Sequence, residues 1–173
     1  MNRYIITDFD GVMTSCLPEG GSYLVNSPKT YGYSKDCFAN LMLLLLRTNS
    51  KVVISSNWRR FEPDGGWTHN RGNFAGSTYY NPLPRFMHDL GDKVVGTLPL
   101  DRHITKAEAL ILWLEEFKNV PQFVVFDDDS REGFQDTFDY GIYKKFILTN
   151  PKLGLTMADV NSAIDIFKEQ KYV

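Results

Sequence analysis

Four apolar runs of strand length recur along the chain: YIIT at 4–7, KVVIS at 51–55, QFVVF at 122–126 and KFILT at 145–149. None alternates with polar residues. A strand covered on one face alternates apolar with polar; a run that stays apolar must be covered on both, as in a parallel sheet between two layers. KVVGTL at 93–98 has the composition of a further strand. Helical patterns lie between the runs. SKDCFANLMLLLLRT starts at a Ser34 N-cap, and its apolar residues extend around most of the helix, which predicts that it is largely buried. TKAEALILWLEEF opens with a capping box, Thr105 with Glu108, and sets Ala107, Leu110, Ile111 and Leu114 on one face. Thr156 and Asp159 repeat the device ahead of Val160, Ala163, Ile164 and Phe167. Strands alternating with helices predict an α/β fold built on a doubly wound parallel sheet. A chain of 173 residues suffices for one domain with a real core, so residues 1–173 are expected to form a single domain.

One stretch breaks the alternation. FEPDGGWTHNRGNFAGSTYYNPLP, residues 61–84, holds four glycines, three prolines and five aromatics without periodicity, and a short helix near LPRFMHDLG closes it. An irregular insert of that length is usually functional or mobile. Its aromatics and Arg71, with Arg59 and Arg60 just before it, suit base stacking and phosphate contact, although packing of the aromatics onto the body of the domain is the commoner arrangement.

Charge excludes some partners. With 21 acidic and 19 basic residues, the net charge of -2 gives no global field for nucleic acid or an anionic membrane. Cys16 and Cys37 have no disulfide-framework or zinc spacing and read as reduced thiols. The longest apolar block, LMLLLL at 41–46, is too short to span a bilayer, and the first residues lack a signal-peptide pattern. The expectation is a soluble, cytoplasmic protein with no membrane contact and no obligate protein partner.

In open α/β sheets, ligands bind at the carboxyl ends of the strands. There the first run delivers Asp8 and Asp10 around Phe9, followed by Gly11; strand alternation would turn Phe9 to the opposite face. The second run delivers Ser55, Ser56 and Asn57, and the third Asp127, Asp128 and Asp129. Alone, DFDG is equally a strand running out into a solvated turn, and DDDS a solvated charge run. At one common edge, five carboxylates repel unless a cation sits among them, and oxygen-only ligands suit Mg2+. Lys106 stands at the first helical position, where the helix dipole disfavours a cation. Either solvent tolerates it, or the lysine and free helix N–H groups together favour an anion such as phosphate.

DFDGVMT, VVISSN, Lys106 before its helix and VVFDDD, in that order, resemble the four motifs of the haloacid dehalogenase (HAD) superfamily. The segments CFANLMLLLLRTNSKVVISSNWR, GDKVVGTLP and FILTNPKLGLTMADVNSAIDIF are similar to the HAD domain of Swiss Army Knife RNA repair proteins. The resemblance implies a HAD-like, Rossmannoid sheet and a Mg2+-dependent phosphatase; the short spacings from Thr14 to Val52 and from Asn57 to Thr105 leave room for a minimal cap or none. Asp8 would be the nucleophile and Asp10 the general acid and base. Ser56 and Lys106 would bind the phosphoryl group. Asp8, Asp10 through its carbonyl, Asp128 and Asp127 would hold the metal, and Gly11, Asn57 and Arg59 would meet substrate. The substrate would be a phosphate ester, either a nucleotide or polynucleotide end or a small metabolite. A phosphate-binding module without turnover is the reading from another class, and the intact Asp8 and Asp10 pair argues against it. A phospho-accepting receiver domain fits less well, because the run after the first ends in serine.

Overall fold

The computed structural model describes residues 2–14, 33–57, 67–68, 78–79, 83–99 and 103–170, the pairs 67–68 and 78–79 by their backbone alone. Its elements follow the alternation read from the sequence. They are β1 (Arg3–Thr7), α1 (Lys35–Thr48), β2 (Lys51–Ile54), β3 (Trp67–Thr68), β4 (Thr78–Tyr79), α2 (Leu83–Leu90), β5 (Val94–Thr97), α3 (Lys106–Glu115), β6 (Gln122–Asp127), β7 (Phe146–Leu148) and α4 (Met157–Glu169).

Five strands form one sheet in the order β5-β2-β1-β6-β7. Every pairing is parallel, with Ile5 beside Val52 and Val124 at the centre. The continuous apolar runs are explained by what covers them. Ile5, Val52, Ile54, Val124 and Phe126 pack with α1, α2 and α4 on one face. Ile6, Val53, Phe123 and Val125 pack with α3 and with Phe134 and Ile142 on the other. Each fully buried aliphatic or aromatic side chain contributes about 1.5–3 kcal/mol relative to leaving it in water. The doubly wound parallel α/β sheet is therefore as expected, and all strand ends that carry polar residues lie on one edge.

Three details differ from expectation. α1 is not buried all round: Cys37, Leu41, Leu44, Leu45 and Thr48 face inward, while Leu46 is 74% exposed. A helix lying on a sheet buries one side however apolar its rim is. The crossover from β6 to β7 holds no α-helix; 3-10 turns at Ser130–Glu132, Phe134–Asp136 and Asp139–Lys144 take its place. Within 61–84, β3 and β4 form an antiparallel pair, Trp67 opposite Tyr79; α2 begins at Leu83, as the LPRFMHDLG pattern predicts. The remainder of that insert, with Arg59 and Arg60, lies outside the described residues. Among the described residues no helix is long and apolar enough to cross a membrane.

Candidate active site

The chain does not leave the core where β1 ends. The Asp8 N–H still donates to the Phe126 carbonyl at 3.0 Å, and the Ser55 N–H to the Thr7 carbonyl at 2.9 Å. A helical turn follows, closed by Met13 N–H to the Phe9 carbonyl at 2.8 Å. Phe9, Val12 and Met13 are fully buried, and Phe9 packs edge-on against Phe86 of α2 at 5.3 Å. DFDG is thus no solvated exit. Nor do Asp8 and Asp10 alternate across a strand, because the strand stops at Thr7: Asp8 points inward and Asp10 sits exposed on the turn.

Asp8 is held by two donors. Its Oδ1 accepts from Phe9 N–H at 2.6 Å and its Oδ2 from Lys106 Nζ at 2.6 Å. The same ammonium donates to Asp127 Oδ2 at 2.8 Å, while Asp127 Oδ1 accepts from Asp129 N–H at 2.9 Å. Lys106 is 4% exposed and Asp127 fully buried. Burial alone would lower the lysine pKa, but the Asp8 and Asp127 charges outweigh it and the net shift is upward. Asp127 is pushed up to about 7 by burial first and by the Asp8 charge second, which Lys106 only partly offsets. Asp128, half-buried, is raised for the same two reasons.

Asp8, Asp127 and Asp128 each offer an oxygen within 4.8 Å of the others. Three carboxylates against one ammonium leave two formal negative charges in a space of low polarisability. An oxygen-only set with that excess fits a hard divalent cation such as Mg2+. A missing side chain admits the third carboxylate. Gly11, at φ +64°, turns so that a β-carbon there would lie 2.2 Å from Asp128 Cγ. The Asp10 side chain is not in this group. Asp129 turns away, accepting from Arg131 N–H at 2.9 Å and pairing with the guanidinium, which holds its carboxyl down to about 2.

Of the other residues expected at the site, Ser55 and Ser56 are buried at the end of β2 and Asn57 is exposed beside them. Arg59 lies outside the described residues. The amino end of α3 differs from its expected role. Thr105 Oγ1 accepts from Glu108 N–H, the Glu108 carboxylate accepts from Thr105 N–H, and Glu132 Oε2 accepts from Lys106 N–H at 3.0 Å. Those N–H groups serve the protein's own oxygens, and Lys106 reaches the site through its head alone. Two contributors went unread in the sequence. Glu132 closes on Lys106 from a charge run with no distinguishing spacing. Buried Thr149, just past β7, donates to the Gly11 carbonyl at 3.3 Å while its N–H donates to the Asp127 carbonyl at 3.0 Å.

The site is a carboxylate and lysine pair at the end of the central strand, beside two acids from the adjacent strand. The family model for the HAD domain in Swiss Army Knife RNA repair proteins matches residues 4–160. The chain belongs to that family. No curated protein matches it. HAD domains are generally hydrolases, phosphatases among them, and Asp8, Lys106, Asp127 and Asp128 all fall inside the matched span of this HAD domain.

Proposed function

We propose that this HAD domain is a Mg2+-dependent phosphomonoesterase that works through an aspartyl-phosphate on Asp8, with a nucleotide or polynucleotide-end phosphate as substrate. The observation that carries the reading is Asp8 itself: an inward carboxylate with a 9% exposed side chain, paired at 2.6 Å with a buried lysine inside a three-carboxylate group. Solvated strand-end acids have neither feature.

Asp8 is already oriented by Phe9 N–H and Lys106, so little freedom is lost on reaching the reactive geometry. A carboxylate oxygen of Asp8 bonds to phosphorus as the bond to the ester oxygen breaks, and Asp10 gives its proton to that departing oxygen. Asp10 then takes a proton from water, whose oxygen displaces Asp8 from phosphorus and releases inorganic phosphate. An exposed Asp10 suits both transfers, since the leaving group departs to solvent and the water arrives from it. Lys106 and the Ser56 hydroxyl stabilise the phosphoryl oxygens. Gly11, Asn57 and Arg59 contact the substrate. Mg2+, held by Asp8, Asp127, Asp128 and the Asp10 carbonyl, would supply the positive charge that lets an anionic phosphate approach carboxylates. The polynucleotide end comes from the family description, which concerns RNA repair. A cytoplasmic location belongs to the same proposal.

The test is hydrolysis of an aryl phosphate by wild type and Asp8→Asn, with Mg2+ or with chelator. A panel of 3'- and 5'-phosphorylated oligonucleotides and small-metabolite esters follows. Turnover that needs both Mg2+ and Asp8 supports the enzyme reading. No turnover of any ester by folded, Mg2+-supplied wild type would leave a phosphate-binding module. A preference for small esters would overturn the polynucleotide assignment.

A further inference from the structure

α3 begins with its donors only partly served by its own cap. The box between Thr105 and Glu108 closes the N–H groups of those two residues and leaves that of Lys106 outside. Glu132 Oε2 takes it at 3.0 Å, and the other oxygen of the same carboxylate lies 3.9 Å from Lys106 Nζ. A plain helix cap touches backbone only, whereas this carboxylate engages both ends of one lysine.

The turn that carries Glu132 is well anchored. Glu132 N–H donates to the Asp129 carbonyl at 3.3 Å, Gly133 reverses the chain at φ +83°, and Phe134 is buried in the core beneath α3. One segment therefore delivers Asp127 and Asp128 to the carboxylate group and Glu132 to the lysine opposite them. Among the described residues, three carboxylates surround the ammonium within 4 Å: Asp8 at 2.6, Asp127 at 2.8 and Glu132 at 3.9 Å. The first two belong to the candidate metal group and Glu132 does not. When Asp8 is esterified it stops being a counter-ion to the lysine, and Asp127 and Glu132 are the carboxylates that remain beside its ammonium, Glu132 alone also holding the Lys106 N–H.

We propose that Glu132 is a positioning residue for Lys106, clamping its backbone and limiting the travel of its ammonium between Asp8 and the phosphoryl group. The proposal rests on the phosphatase reading for its consequence but not for its geometry. Aryl-phosphate kcat, KM and the Mg2+ needed for half-maximal rate are measured for wild type, Glu132→Gln, Glu132→Ala, Lys106→Met and the Lys106→Met/Glu132→Ala double variant. Glu132→Ala is expected to lower kcat about tenfold or more with little change in Mg2+ requirement, while Glu132→Gln, which keeps an acceptor for the Lys106 N–H but loses the charge beside its ammonium, falls between Glu132→Ala and wild type. In the Lys106→Met background the second change should cost nothing further. The same fold-loss in both backgrounds, or a raised Mg2+ requirement, would overturn the proposal. A second measurement needs no turnover, and so separates this inference from the phosphatase reading. Exchange of the Lys106 amide hydrogen should quicken in Glu132→Gln and more so in Glu132→Ala, with a shifted Nζ resonance and unchanged exchange in α4. An unaltered amide and ammonium would refute the clamp whether or not the wild type hydrolyses any ester.

Discussion

Replacing Gly11 by alanine tests how the third carboxylate reaches the site. Two costs can be read from the structure. At φ +64° a β-carbon strains the backbone by about 1–2 kcal/mol. That carbon would also stand 2.2 Å from Asp128 Cγ and Oδ2 and 2.6 Å from its Cβ, closer than atoms approach, so Asp128 or the turn must move. Overpacking of this kind costs about 1–3 kcal/mol more. The sum, about 2–5 kcal/mol, lowers Tm by about 4–20 °C in a chain of this size. It should also displace Asp128 from Asp8 and Asp127 and raise the Mg2+ concentration needed for stabilisation or turnover. Urea denaturation with and without Mg2+ measures both effects. The double variant with Asp128→Gly separates them: the clash disappears and the backbone strain remains, so Gly11→Ala should cost about 1–2 kcal/mol in that background. If Gly11→Ala changes stability by less than about 0.5 kcal/mol and leaves the Mg2+ requirement alone, the reasoning from Gly11 to Asp128 is wrong.

Other outcomes follow from the same contacts. Lys106→Met strips the cation from two buried carboxylates and should destabilise the protein by about 3–5 kcal/mol in chelator, a calorimetric loss that Mg2+ partly restores. Mg2+ at a hundred times its dissociation constant should stabilise wild type by about 2.7 kcal/mol and Asp128→Asn by much less; identical melting in Mg2+ and in chelator would contradict a metal site. Tyr33→Phe removes the hydroxyl that donates to Asp89, which also accepts from Arg85 at 2.8 Å, and should cost about 1–2 kcal/mol near neutral pH. Those donors, Tyr33 first, hold Asp89 down to about 2 from its ordinary 3.8. Their stabilisation is thus complete above about pH 4 and lost as pH falls towards 2. The gap between wild type and Tyr33→Phe in urea melts should narrow across that window; a gap as wide at pH 3 as at pH 7 would exclude the Asp89 carboxylate as its source.

Much of the architecture was legible because local chemistry and tertiary structure ask for the same thing. Thr105 with Glu108 and Thr156 with Asp159 cap their helices in the structure as their spacing predicts, since a capping box closes within one turn and needs no distant partner. Unbroken apolar runs reported burial on both faces, because no polar side chain can be left unpaired there. Strand ends in Asp8, Ser56 and Asp127 could be assigned to one edge once the strands were parallel, and Lys106 stood out separately as a lysine at the first helical position, where the helix dipole disfavours it.

What the residues by themselves determined, then, is the alternation of elements, their caps and the edge at which the polar residues gather, all of which depend on neighbours within a turn or a strand. Only the tertiary structure decided how that edge is divided. Asp8 turns inward to Lys106 while Asp10 stays exposed, because β1 ends at Thr7 and the next residues coil into a turn anchored by Phe9. Asp128 joins the group because Gly11 leaves room for it, and Asp129 is drawn off by Arg131. Glu132 reaches Lys106 across 26 positions of chain. Contacts of that separation leave no period or spacing in a sequence, since either partner alone has the composition of an ordinary solvated loop.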